Sequence, residues 1–184
     1  MRFILLLTIL SIVFYQSKSA IDVPTFQAQA LAQHNYYRGL HCTSAMTLTA
    51  SLNTIAQAYA VQLAATNTFA HSGTAGLGEN LYAYFGSSAT TSFNGSTPVT
   101  DWYNEIANYD FTTSAKSTAA SSTSEIGHFT QVVWAATTQL GIGVALSSDL
   151  KNVTVVGNYY PAGNLQGAYA ANVAPLCSLS AGGD

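Results

Sequence analysis

An α+β domain, with helices layered around a small, mainly antiparallel sheet, is the fold class that this chain predicts. Three observations predict it. Apolar residues recur at helical spacing through much of the chain, they alternate with small residues in two late segments, and the only uninterrupted apolar run lies at the N-terminus. The 184 residues suit one domain with length enough to bury a core.

Residues 1–19 belong to targeting. Arg2 supplies a positive start, residues 3–14 are apolar except for Thr8 and Ser11, and Ser17-Lys18-Ser19 puts small residues where a signal peptidase reads. The spacing predicts cleavage after Ser19, with Ala20 as the near alternative. The run is too short to span a bilayer, so the expectation is a secreted protein with no transmembrane segment. Residues 20–184 carry three basic side chains, Arg38, Lys116 and Lys151, against eight acidic ones, a formal charge of −5. No basic cluster exists, which removes the electrostatic footprint of a nucleic-acid partner. Disorder is excluded by 11 Tyr, 8 Phe and 2 Trp spread along the chain.

Pro24 opens a helix over 24–38, and Thr49 can cap a second in which Leu52, Ile55, Ala56, Tyr59 and Leu63 share a face. Residues 71–81 read as a glycine-rich loop whose tight folding points His71 and Glu79 into one cleft. Thr97-Pro98 starts a third helix, with Pro at the first helical position and Val99, Trp102 and Ile106 inward. A short fourth helix covers 128–135. Leu140, Ile142, Val144 and Leu146 then alternate with Gly141, Gly143, Ala145 and Ser147. Val153, Val155, Gly157 and Tyr159 give a second strand after a Ser-Ser-Asp turn. Residues 87–96 and 112–124 are low-complexity loops.

Export changes the reading of the two cysteines. In an oxidising compartment Cys42 and Cys177 are expected to form a disulfide tying the end of the first helix to the C-terminal tail, two buried free thiols being the alternative. Asn94-Gly95-Ser96 and Asn152-Val153-Thr154 are glycosylation acceptors by pattern, both placed in surface turns.

Chemistry has to come from rare residues. The histidines are His34 and His41 on or just after the first helix, His71 in the glycine-rich loop and His128 at the fourth helix. Glu105 sits between Trp102 and Ile106, so it is partly buried and needs partners. No His-x-x-x-His pair and no Cys set is present, so spacing alone gives no metal motif. Taken singly, each of these residues reads first as a loop histidine or a capping carboxylate.

Five stretches carry more than spacing does: His34-Asn35-Tyr36-Tyr37-Arg38, His71-Ser72-Gly73, Gly78-Glu79-Asn80-Leu81, Gly127-His128-Phe129-Thr130-Gln131-Val132-Val133-Trp134 and Asn158-Tyr159-Tyr160-Pro161-Ala162-Gly163-Asn164. Through them residues 20–184 resemble the CAP superfamily of cysteine-rich secretory, antigen 5 and pathogenesis-related proteins, with a look of secreted fungal members. The resemblance implies a three-layer α-β-α sandwich. It also implies that His71, Glu79, Glu105 and His128 line a central cleft able to hold Zn²⁺ or another divalent ion, with none required.

The function implied is non-catalytic binding of a small hydrophobic ligand, fatty acid or sterol. A secreted hydrolase using the same cleft, metal-dependent or with Ser72 as nucleophile instead of as a local cap, and a host- or cell-surface interaction protein are the alternatives. Sterol binding in the family goes with a loop of pattern aromatic-x-aromatic-x-x-x-x-aromatic. Here Tyr109 and Phe111 fill the first two places and Lys116 the third, so that site is degraded. A fatty acid would lie between the first and third helices, against Phe26, Leu31, Val99, Trp102 and Ile106. Ile142 stands in place of a family cysteine, as do Asn67 and Thr68, which leaves Cys42–Cys177 as the expected bridge.

Overall fold

Asp22 starts the first helix: its Oδ2 accepts the Thr25 N–H at 3.2 Å, and Pro24 lies in the first turn, where a missing N–H leaves no bond unmade. The result is α1, Val23–Leu40. The computed structural model describes residues 21–116 and 125–177, so the expected signal peptide, residues 1–19, lies outside the described residues.

Thr49 precedes α2, Ala50–Thr66, in extended backbone but without a side-chain capping bond, and the helix stops at Asn67 in the left-handed region (φ 51°). The sheet has the order β1-β5-β6-β2, from β1 (Thr47–Leu48), β5 (Gln139–Leu146), β6 (Asn152–Tyr160) and β2 (Gly78–Phe85). β1 pairs with β5 in parallel; the other two pairings are antiparallel. The sheet is therefore small and mainly antiparallel, as expected. Between β2 and β5 lie α3 (Ser96–Asn104), a 3₁₀ turn (Glu105–Asn108), the short hairpin β3 (Tyr109–Asp110) with β4 (Ala115–Lys116), and α4 (Gly127–Val133). A last turn, α5 (Tyr169–Asn172), precedes the tail.

Strand alternation sorts the core into two layers. On one face Ile142, Val144, Val155 and Tyr159 join Phe26, Val99, Trp102 and Phe129 from α1, α3 and α4. On the other, Leu81 and Val156 meet Ala56, Ala60 and Leu63 of α2. The architecture is an α-β-α sandwich.

Gly141 and Gly143 explain how closely α2 approaches. A Cβ on Gly141 would stand 2.2 Å from the Leu52 carbonyl carbon, and one on Gly143 would stand 2.2 Å from the Ala56 oxygen. Along this edge side-chain amides replace a neighbouring strand. Asn53 Oδ1 accepts the Ile142 N–H (2.9 Å), Gln27 Nε2 donates to the Ile142 carbonyl (2.7 Å), and Gln57 bonds both groups of Val144 (3.0 and 2.8 Å). The exposed ladder of β5 is thus satisfied.

The structure corrects several expectations. Residues 78–81 do not belong to a loop; they begin β2, which pairs with β6 over eight residues. The glycines before it masked a strand signal in Leu81, Tyr82, Tyr84 and Phe85. Ile55 is 40% exposed, because small Ala56 and Ala60 take the sheet-facing positions instead. Pro98 is the third residue of α3, another place where the helix needs no N–H, and Ile106 falls in the 3₁₀ turn. Asn152 heads β6 rather than a turn, with Thr154 buried, while Asn94 is exposed as expected. Cys42 and Cys177 form the expected disulfide.

Candidate functional site

The cleft is built from two histidine–glutamate pairs. Tyr59 of α2 fixes the 67–77 loop by donating to the Ala70 carbonyl at 2.6 Å. The next residue, His71, meets Glu79 on edge strand β2: its Nδ1 lies 2.9 Å from Glu79 Oε1, which also accepts the Ser72 N–H at 2.8 Å. Glu105 comes immediately after α3 and faces the start of α4. Its Oε1 lies 2.6 Å from His128 Nδ1, and its Oε2 accepts the N–H groups of His128 (2.9 Å) and Phe129 (3.2 Å). Glu105 therefore supplies the anionic partner for α4's first N–H groups, which no residue of the helix caps.

A carboxylate only accepts, so each imidazole donates Nδ1–H, and its neutral form carries the lone pair on Nε2. Neither Nε2 has a hydrogen-bond partner among the described residues. His71, Glu79 and His128 line one cavity of about 360 Å³ with Phe69, Leu81, Glu125 and Asn164. His71 is well exposed at its mouth, whereas Glu79 and Glu105 are largely covered.

The four expected residues thus divide into two pairs with the carboxylates behind the rings. Among the described residues no three His, Cys, Asp or Glu side chains form a ready metal cluster. With each carboxylate spent on a ring Nδ1, the protein donors this cleft could offer a cation are the two imidazole Nε2 atoms.

Ser72 is turned to other work. Its Oγ contacts Thr74 Oγ1 at 2.9 Å and accepts the Thr74 N–H at 3.1 Å, a local turn. Tyr109 and Phe111 point inward onto Phe129, with ring centroids 5.6 and 6.2 Å away. Lys116 pairs with Tyr109 across β3 and β4. Phe26, Val99 and Trp102 are at most 2% exposed, with Leu31 and Ile106 packed against them, so a fatty acid between α1 and α3 would have to displace the core.

Sequence reasoning missed three parts of the site. Asn80 Nδ2 donates to the His128 carbonyl and to Tyr159 Oη, both at 3.1 Å. Tyr159 Oη in turn bonds His34 Nε2 at 2.9 Å, and His34 Nδ1 donates to the Ala30 carbonyl at 2.7 Å. Burial holds the His34 pKa down at about 4. Asn164, in left-handed backbone (φ 57°), donates to the Gly127 carbonyl at 2.8 Å and accepts from Thr130 Oγ1 at 2.6 Å, which sets the wall beside His128. Glu125 and Phe69 also line the cleft. Asn80 and Asn164 belong to the five family-like stretches, whereas nothing in the pattern marks Glu125 or Phe69.

Comparison with known proteins agrees with this architecture. The model of the CAP family, described as the cysteine-rich secretory protein family, matches residues 31–159. The chain is 35% identical over 152 residues to Protein PRY2 of Saccharomyces cerevisiae, covering 82% of this chain but only 42% of that protein. It is 36% identical over 155 residues to the human Golgi-associated plant pathogenesis-related protein 1, covering 82% of this chain and 93% of that one. The solved structure of NaASP2 with Zn²⁺ shares the fold with a TM-score of 0.58 at 24% identity, over 75% of this chain and 80% of that one.

Proposed function

The chain belongs to the CAP, or cysteine-rich secretory protein, family, and on that premise we propose that it is an exported, non-catalytic binding protein. Its central cleft holds a divalent cation such as Zn²⁺ and receives a small apolar ligand. One observation carries this reading: both carboxylates are used on Nδ1, which leaves without a protein hydrogen-bond partner the Nε2 atoms of two histidines that line a single cavity. Carboxylate–imidazole pairs of this kind orient metal ligands and raise their basicity. The engagement of Ser72 with Thr74 favours binding over nucleophilic catalysis. That NaASP2 was solved with Zn²⁺ supports the choice of ion.

The test is a calorimetric titration of the folded protein with Zn²⁺, alongside thermal unfolding. Zinc should bind and raise the melting temperature of the natural chain. His71→Ala/His128→Ala should abolish both effects, and equal binding by that variant would place the ion elsewhere.

A further inference from the structure

Two phenyl rings stand in water at one end of the sheet. Phe85, the last residue of β2, is 72% exposed, and Phe69, in the loop after α2, is 57% exposed. They wall one shallow depression together with Leu63 of α2 and Asn152 of β6. Its volume of about 40 Å³ is far below that of a small-molecule site, so it does not enclose a free ligand.

Asn152 offers a point of attachment beside the rings. It pairs with Phe85 across β2 and β6, so the two side chains leave the same face of the sheet as neighbours. Its backbone is fixed at both groups: the Asn152 N–H donates to Ser147 Oγ, and the Asn152 carbonyl accepts the Ser147 N–H, each at 2.9 Å. The side-chain amide has no hydrogen-bond partner among the described residues. Asn152 also opens Asn152-Val153-Thr154, an acceptor pattern for an N-linked glycan. The other such pattern is placed differently. Asn94 Oδ1 is closed on the Ser96 N–H at 2.8 Å, and Phe93 beside it is half-buried against Phe26, Tyr82 and Tyr84.

Resting on the export reading above, we propose that Asn152 carries an N-linked glycan whose first N-acetylglucosamine lies over Phe85 and Phe69. During export Asn152 Nδ2 attacks the anomeric carbon of a lipid-pyrophosphate-linked oligosaccharide. A C–N bond replaces the C–O bond, the lipid pyrophosphate leaves, and Nδ2 gives up one proton. Thr154 is buried in the folded protein, so the transfer precedes the pairing of β6 with β2 and β5. A pyranose has a face of C–H bonds, positive at hydrogen, which suits the negative face of a phenyl ring. The sugar therefore covers apolar surface that would otherwise stay in water, and becomes part of the fold at this end of the sheet.

The experiment expresses the full 184-residue chain, with its own leader, in a yeast and maps the protein in the medium by peptide mass spectrometry. Asn152 should carry N-acetylglucosamine. Trimming to that single sugar with an endoglycosidase should leave the melting temperature unchanged. The natural sequence made without glycan in a bacterial periplasm should melt about 3 °C lower. Phe85→Ala should remove this difference, its two forms melting within about 1 °C of each other. Because Phe85 is exposed, the variant removes no core side chain.

Secreted protein with a bare Asn152, or a glycan whose stabilisation survives Phe85→Ala, would overturn this proposal and leave export standing. Dimerisation of the glycosylated natural chain that Phe85→Ala abolishes would assign the rings to a second copy instead. A chain kept inside the cell, with its leader uncleaved and both acceptor patterns bare, would overturn both readings.

Discussion

Arg38 Nη1 donates to the Trp134 carbonyl at 2.8 Å, in the interior of the protein and with no carboxylate paired to it among the described residues. The same nitrogen reaches the Val132 carbonyl at 3.2 Å, Nη2 reaches Thr137 at 2.8 Å, and Nε reaches Ser44 at 2.7 Å. Val132 and Trp134 lie where α4 ends, so the guanidinium takes up the carbonyls that a helix C-terminus leaves unpaired. Burial lowers its pKa to about 10, still charged at neutral pH. Arg38→Met should leave these carbonyls buried without donors and cost about 3 kcal/mol or more, read from urea unfolding. A loss below about 1 kcal/mol would mean that the carbonyls find water.

Gly143 and Gly39 should respond oppositely to the same substitution. Gly143→Ala drives a methyl into the Ala56 carbonyl, backbone that moves only if α2 lifts, at a cost on the order of 3 kcal/mol. Gly39→Ala, near the end of α1, meets nothing within 4 Å and gains helix propensity of up to about 1 kcal/mol. Thermal unfolding of the pair checks both signs, and a tolerated Gly143→Ala would show that the layer spacing is soft.

These positions show what the sequence made legible. Alternation in Leu140, Ile142 and Val144 foretold β5, since a strand packed on one face by large side chains keeps its period. The same strand's glycines were visible, but not that they set the distance to α2, because that requires knowing what crosses them. β2 stayed hidden behind Gly73, Gly76 and Gly78, as its pairing with β6 is a long-range contact that no local pattern carries. Within the site, His71, Glu79, Glu105 and His128 came from family resemblance. Their division into two pairs depends on where α3 ends relative to α4, which is tertiary information.

Glu105 and Glu79 differ in how firmly they use their second oxygen. Glu105 employs both, one on His128 Nδ1 and one on two backbone N–H groups, and a glutamine offers only one acceptor. Glu79 places His71 Nδ1 and Ser72 N–H on one oxygen, which a glutamine carbonyl can keep, and its other oxygen accepts only a long 3.5 Å bond from Asn158 Nδ2. Glu105→Gln should therefore weaken zinc binding by about 10–100-fold, and Glu79→Gln by less. Calorimetry on the two variants decides it, and the reverse order would refute the assignment of roles.

The Cys42–Cys177 disulfide closes 135 residues, and it is exposed to reductant at Cys42. Chain entropy allows about 5 kcal/mol for so long a loop, as an upper figure. Reduction should lower the melting temperature, and thiol titration of the untreated protein should find no free cysteine. Alkylation of both residues without reductant would contradict the bridge.

Acid sensitivity should arise from His34. In the unfolded chain an ordinary histidine takes its proton near 6.5, while burial between Ala30 and Tyr159 holds the folded value at about 4. Between these values the unfolded state binds more protons, so stability rises with pH across that window. The contribution is complete above about 6.5 and is lost as pH falls towards 4, by about 3 kcal/mol in all. His41 acts in the same direction, its pKa lowered by burial, with Nδ1 on the Ala174 carbonyl and Nε2 on Tyr103 Oη. His34→Gln removes the titrating group while retaining an amide that can bond Tyr159. That variant should be less stable at pH 7 because its packing is imperfect, yet it should lose less on acidification than the natural chain. Urea midpoints at pH 7, 5.5 and 4.5 provide the comparison. Parallel losses in both proteins would assign the acid sensitivity to the carboxylates instead.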